Sequence, residues 1–258
     1  MTGVLDGRRC LVTGGGSGIG RGIALALARA GATVAVSGRR QAPLDETARM
    51  AEPLPGRIAA YPFDVRDRSA TAAAVERIAA DLGGLDVVVN NAGVGGPNGC
   101  GDGGPDRWRE ILETNLDGMF HVTCAAVPLL ADEGRVINIS SVLGKFGVPG
   151  YTAYCTAKHG VIGFTKALAH QLAPRRITVN AVCPGWVETD MARQGMELLG
   201  RSLGTSYEEA RRQALAQVPL GRILQPHEVG ELVVYLASPA ASGMTGQAIS
   251  LCGGATMG

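Results

Sequence analysis

The sequence predicts an α/β fold: a doubly wound parallel sheet of seven strands with helices on both faces. Three observations predict it. Short β-branched runs alternate with alanine- and leucine-rich stretches from Arg8 to about Gly150, the pattern of βαβ crossovers. The strand candidates are apolar almost throughout, as strands covered on both faces are. The first of them, Cys10-Leu11-Val12, runs directly into a glycine-rich turn and then into Ile23-Ala24-Leu25-Ala26-Leu27-Ala28.

In chain order, strands are expected at 10–12, 33–36, 58–61, 85–89, 135–139, 178–181 and 248–251. The helices between them include 18–30, 69–82, 106–130, 154–172 and 226–237. Residues 186–218, between the sixth and seventh strands, form one long connection without strand periodicity. A long insertion at the carboxyl ends of parallel strands is where a substrate lid lies, and this one carries Met191, Met196, Leu198, Leu199 and Leu203. A single domain, 1–258, accounts for the length, and no repeat at a solenoid period is present.

Composition narrows the partners. The net charge of +1 provides no basic field for nucleic acid or an anionic membrane, so a small, nearly neutral partner is expected. The six cysteines, at 10, 100, 124, 155, 183 and 252, are dispersed without a C-x-x-C pair, which points to buried thiols in a reducing compartment. No metal is expected, because His121, His170 and His227 stand alone and His159 is set about 100° around a helix from Lys158. No apolar run approaches membrane-spanning length, and the amino terminus lacks a basic region before an apolar core; a soluble cytoplasmic protein is expected.

The glycine turn reads Gly14-Gly15-Gly16-Ser17-Gly18-Ile19-Gly20. Such a turn lets the backbone approach a pyrophosphate closely, and the helix start that follows offers unpaired N–H groups and a favourable dipole. The strict G-x-G-x-x-G spacing is not met, so this is a wider variant of the dinucleotide turn. At the end of the second strand, Ser37-Gly38-Arg39-Arg40 lacks the carboxylate that would take a ribose 2′-hydroxyl, and either arginine could clamp a 2′-phosphate. That favours NADP(H) over NAD(H). An exposed arginine pair at a turn is also compatible with a solvated corner. Tyr154 and Lys158 fall one helical turn apart, an arrangement in which an ammonium can assist proton exchange at a phenol.

Four further signals follow in order: Asn90-Asn91-Ala92-Gly93, Asn115, Asn138-Ile139-Ser140-Ser141, and Cys183-Pro184-Gly185-Trp186-Val187-Glu188-Thr189. Over essentially the whole chain this set resembles the short-chain dehydrogenase/reductase family, which implies a Rossmann-type fold. The resemblance implies a tetrad of Asn115, Ser141, Tyr154 and Lys158. Tyr154 would exchange a proton with the substrate oxygen, and Ser141 would orient that oxygen. Lys158 would lower the pKa of Tyr154 and contact the cofactor ribose, while Asn115 would hold a water leading to Lys158.

Cofactor contacts are implied at Gly14, Gly16, Ser17, Gly18, Ile19, Gly20, Arg39, Arg40, Asp64, Val65, Asn91, Ala92 and Gly93, then at Tyr154, Lys158, Pro184, Gly185, Val187 and Thr189. Asp64 also suits a helix cap. Substrate contacts are expected at Val94, Val142, Tyr151, Trp186 and Met191. Ser140 and Tyr151 compete for the hydroxyl roles, but strand alternation separates Ser140 from Ser141 and the family's spacing favours Ser141 with Tyr154. Trp108 is expected to pack.

The stretches 142–148, 158–168, 182–189 and 225–229 resemble aromatic polyketide ketoreductases and 3-oxoacyl reductases. In those ketoreductases P-G-G follows N-N-A-G, whereas here Val94-Gly95-Gly96-Pro97-Asn98 displaces the proline, so their stereocontrol does not carry over. The resemblance implies a homotetramer reducing a ketone to a secondary alcohol with NADP(H). An NAD-dependent secondary-alcohol dehydrogenase is the alternative, since one tetrad serves both directions. A dinucleotide-binding protein without turnover would be expected to break the tetrad.

Overall fold

The computed structural model describes residues 3–98 and 104–257; the expected thiol at Cys100 lies outside them. Seven strands, β1 (Arg9–Thr13), β2 (Thr33–Gly38), β3 (Arg57–Pro62), β4 (Leu85–Asn90), β5 (Leu130–Ile139), β6 (Thr178–Pro184) and β7 (Ala248–Leu251), form one sheet in the order β3-β2-β1-β4-β5-β6-β7. Every neighbouring pair is parallel. The chain starts in the middle, winds outward to β3, then crosses back to β4. The carboxyl ends of β1 and β4 therefore flank the switch point where a crevice opens in such sheets.

Alternation along the strands feeds two cores. Cys10, Val12, Val34, Val36, Val87 and Val89 face one side, while Leu11, Ala35 and Val88 face the other. Helices α1 (Gly18–Arg29), α2 (Gln41–Met50) and α9 (Pro226–Ala237) cover the first face through residues such as Ile23, Leu44 and Val233. Helices α3 (Arg68–Leu82), α5 (Gly118–Ala126) and α6 (Thr152–Leu172) cover the second through Ile78, Val122 and Leu168. Full burial of side chains of this size stabilises by roughly 1.5–3 kcal/mol each.

Three expectations change. The helix expected over 106–130 is α4 (Gly104–Leu112), a π-helical turn at Glu113–Asp117, and α5, and β5 already begins at Leu130. The π turn inserts a wider loop into the backbone ladder, a feature that recurs at functional sites. Early in β5 the register jumps from Leu85 opposite Leu130 to Val87 opposite Arg135. The residues between bulge out, and Glu133 takes a left-handed φ of 61°.

The connection 186–218 is helical rather than irregular: α7 (Asp190–Leu203) and α8 (Tyr207–Ala216) form a hairpin with its own small core. Thr189 caps α7 by accepting from Ala192 N at 3.2 Å, and Ser206 caps α8 by accepting from Glu209 N at 3.2 Å. Helix α2, not anticipated, lies between β2 and β3.

Candidate active site

The glycine turn is locked to the segment after β4. Thr13 Oγ1 accepts from Asn91 N and Ala92 N, both at 3.0 Å, and Asn91 Nδ2 donates to Thr13 O at 2.9 Å. Gly14 has φ 68°, and a Cβ there would lie 3.0 Å from Ala92 Cα, so neither the conformation nor the space suits a larger residue. Asn91 therefore braces the turn from below. Gly20 and Ile19 start α1 behind it.

A cleft opens above this joint at the switch point. Gly14, Gly16 and Ser17 line one wall, Arg39 and Arg40 a second, and Asp64, Val65, Ala92 and Gly93 a third. These expected cofactor residues are thus brought together. Asp67, not Asp64, caps α3, accepting from Ala70 N at 2.9 Å. Asp64 instead pairs with Arg66 Nη2 at 2.6 Å on the cleft wall, and that hydrogen bond holds its carboxyl below the usual range. Arg66, Pro43, Leu44, Phe63 and Thr114 also line the cleft and were not anticipated, because none belongs to a glycine or tetrad motif.

Next to the cleft, across Val94, which lines it and packs in the cluster with Tyr154, β5 and α6 assemble the hydroxyl groups. Tyr154 and Lys158 lie one turn apart on α6, with Lys158 Nζ 5.6 Å from the centre of the Tyr154 ring. Ser141, at the end of β5, faces Tyr154 and favours its ionised form, while Ser140 turns away into the interior. Val142 begins the 3-10 turn Val142–Gly144, which Ser141 Oγ caps by accepting from Leu143 N at 3.1 Å. Tyr151 stacks edge-on against Tyr154 at 6.5 Å, and Val94 belongs to the apolar cluster around Tyr154.

The electrostatics differ in one respect from expectation. Burial pushes the Tyr154 phenol up to about 12, outweighing the favourable Ser141 hydroxyl, so in the ligand-free chain the phenol stays protonated. Burial also pushes Lys158 down to about 8, and its ammonium donates to the Ile139 carbonyl at 2.9 Å rather than to the phenol. Lys158 thus lies where it favours the phenolate through space, without a direct bond to the phenol.

Asn115 lies in the π turn, with its side-chain amide paired to the Val94 backbone. Oδ1 accepts from Val94 N at 2.7 Å and Nδ2 donates to Val94 O at 2.8 Å. The side chain therefore fixes the backbone after Asn91-Ala92-Gly93.

Pro184 ends β6, and Gly185 N donates to Leu251 O at 2.9 Å. Val187 is bridged to Leu224, and the Thr189 methyl lies 3.1 Å from where a Cβ on Gly18 would sit, so this loop reaches back to the glycine turn. Met191 stands on α7 with Sδ 2.8 Å from the Cβ position of Gly95, beside the segment after Gly93. Trp186, expected at the substrate, is half-buried and packs against the hairpin core with Met196 and Leu199. Among the described residues, no three His, Cys, Asp or Glu side chains gather as metal ligands, and no helix is long and apolar enough to cross a membrane.

The sequence profile of a family described as enoyl-(acyl carrier protein) reductase matches residues 14–256. The 3-oxoacyl-(acyl-carrier-protein) reductase FabG of Thermotoga maritima is 40% identical over 97% of this chain and 98% of its own. The chain belongs to the short-chain dehydrogenase/reductase family. This oxidoreductase is also 40% identical to an acetoacetyl-CoA reductase of Shinella zoogloeoides, over 96% of this chain and 98% of that one. Among solved structures, a single-residue variant of the actinorhodin polyketide ketoreductase, determined with NADPH, superposes with a TM-score of 0.92. It shares 40% identity over 99% of each chain.

Proposed function

We propose that this enzyme reduces the keto group of a 3-oxoacyl or polyketide-like substrate to a secondary alcohol with NADPH, Tyr154 supplying the proton. The observation that carries the reading is the convergence of Ser141 on a half-buried, protonated Tyr154 whose ring lies 5.6 Å from the Lys158 ammonium. The relatives named above act on thioester ketones by their names, and they span the full length of the chain.

The residues present fit a nicotinamide dinucleotide. The left-handed Gly14 leaves a side-chain-free cradle, and Arg39 and Arg40 line the cleft without a salt bridge among the described residues. Ser37 at the end of β2 brings no carboxylate that would repel a 2′-phosphate. When bound, the reduced cofactor supplies the hydride.

The chain's own residues do the rest. Ser141 donates to the substrate carbonyl oxygen and orients it. As the carbonyl carbon gains its new C–H bond, the former carbonyl π pair takes the Tyr154 proton and becomes the alcohol O–H. The Lys158 ammonium stabilises the phenolate left behind and holds the ribose, until Tyr154 recovers a proton from solvent. Asn115 keeps the Ala92-Gly93-Val94 backbone in place. The hairpin α7–α8 closes over the bound pair and Met191 lines the acyl side.

A panel of 3-oxoacyl thioesters and free secondary alcohols, each assayed with both cofactors in both directions, tests this reading. NADPH oxidation by a 3-oxoacyl thioester is the expected result. Alcohol oxidation with NAD and no ketone reduction would replace it with the dehydrogenase alternative.

A further inference from the structure

Ser140 and Ser141 leave β5 on opposite sides, and Ser140 has no contact with the phenol. It is 3% exposed, and its hydroxyl donates to the Lys158 backbone carbonyl at 2.9 Å. A carbonyl inside a helix already accepts from the N–H four residues on, so Ser140 occupies its second lone pair. Two more bonds join the same strand to the same helix. Lys158 Nζ donates to Ile139 O, and Asn138 Nδ2 donates to Thr165 Oγ1, each at 2.9 Å. Three consecutive residues at the end of β5, Asn138 to Ser140, therefore hold α6, two of them at Lys158.

The Ser140 bond is also sealed from above. A Cβ on Gly144 would lie 2.6 Å from Ser140 Oγ and 2.7 Å from the Lys158 carbonyl oxygen, so the turn Val142–Gly144 closes directly over the pair. Cys183, buried on β6, faces Ser140 from the side.

We propose that Ser140 is a positioning residue of the reduction. Its bond to the Lys158 carbonyl sets the height of α6 on β5, so that Tyr154 meets the oxygen that Ser141 orients. This inference rests on the reaction proposed above. A single buried neutral hydrogen bond contributes modestly to stability, whereas a displacement of about 1 Å near reacting groups costs roughly a hundredfold in rate. Removing the Ser140 hydroxyl therefore acts on turnover more than on folding.

The test compares Ser140→Ala, Ser140→Thr and Gly144→Ala with the parent and with Tyr154→Phe, by NADPH affinity, kcat, KM and crystal structures. Ser140→Ala is expected to bind NADPH within about threefold of the parent and to lose roughly ten- to a hundredfold in kcat, with KM little changed. Ser140→Thr, which keeps the hydroxyl, recovers most of the loss. Gly144→Ala, which pushes the same bond apart from the other side, reproduces it. In crystals of Ser140→Ala the Ser141 and Tyr154 hydroxyls stand farther apart than in the parent.

A folded Ser140→Ala variant with parental kcat and an unchanged hydroxyl separation overturns the inference. So does loss of fold or of NADPH binding in both Ser140→Ala and Gly144→Ala, which would assign the bond to stability alone. If the parent reduces no ketone, or Tyr154→Phe stays active, the proposed reaction fails instead, and the hydroxyl separation still decides the role of Ser140.

Discussion

Lys158 Nζ lies 5.6 Å from the centre of the Tyr154 ring, yet its hydrogen bond goes to the Ile139 carbonyl at 2.9 Å. The cation is held against the strand and close under the phenol, where it can answer a charge that develops on Tyr154 without bonding to it beforehand. Lys158 is buried and Tyr154 half-buried, and loss of water around them drives each toward its neutral form.

The pH dependence follows from that burial. Lys158 falls from an ordinary 10.5 to about 8, so it carries its charge below pH 8 and loses it above. Reduction needs the ammonium, and kcat/KM is expected to be level on the acid side of about 8 and to decline on the alkaline side. Between about 8 and 10.5 the unfolded chain holds a proton that the native chain has shed, so this residue's contribution to stability rises with pH across that window. A rate profile with no alkaline limb before pH 10, or a limb that persists in Lys158→Met, would contradict the assignment.

Arg39 is expected to bear on cofactor choice. Arg39→Ala should weaken NADPH by about 1–3 kcal/mol, roughly five- to 160-fold, and leave NADH nearly unchanged, because one charge-assisted bond to a 2′-phosphate is lost. Calorimetric titration with each cofactor measures the difference. Equal effects on the two would remove the argument for NADPH, and Arg40→Ala then identifies whether the neighbouring arginine holds the phosphate.

The sequence made the sheet legible because strands covered on both faces are nearly all apolar, and the two ends of α6 stood out through Tyr154, Lys158 and the apolar residues that follow. Helix α2 was missed for the opposite reason. Only Leu44 and Thr47 of its ten residues are buried, with Pro43 in its first turn, so its apolar stripe is too sparse to register. The hairpin 186–218 read as irregular because Gly195 and Gly200 interrupt it, and its burial is against itself rather than the sheet. The tetrad was legible as residue types at fixed spacing. The direction of the Tyr154 shift was not, since it depends on burial that no spacing encodes, and the engagement of Asn115 with Val94 depends on the π turn.

That hairpin is expected to act as a lid. Its small core of Met196, Trp186 and Leu199 is separate from the two main cores, so it can order independently of the sheet. Hydrogen exchange across residues 191–203 should slow on addition of NADPH and slow further with a ketone analogue. The same protection in all three states would mark an ordinary packed hairpin.

Assembly is expected through the outer faces of α5 and α6. Phe120 is 48% exposed and meets Phe164 edge-on at 6.3 Å, an apolar surface suited to a second copy of the chain. Light scattering should return a homotetramer, and Phe120→Glu should shift it to smaller species. A stable 26.6 kDa monomer at working concentration would refute this.

The most direct measurement is single-turnover reduction of a 3-oxoacyl thioester by Tyr154→Phe preloaded with NADPH, beside the parent protein. The variant keeps the ring that packs against Tyr151 and removes only the phenolic oxygen. NADPH affinity within about threefold of the parent, with the reduction step slowed at least about a hundredfold, is the result this account predicts. Reduction at a rate near the parent's, with the cofactor equally well bound, would contradict Tyr154 as the proton donor.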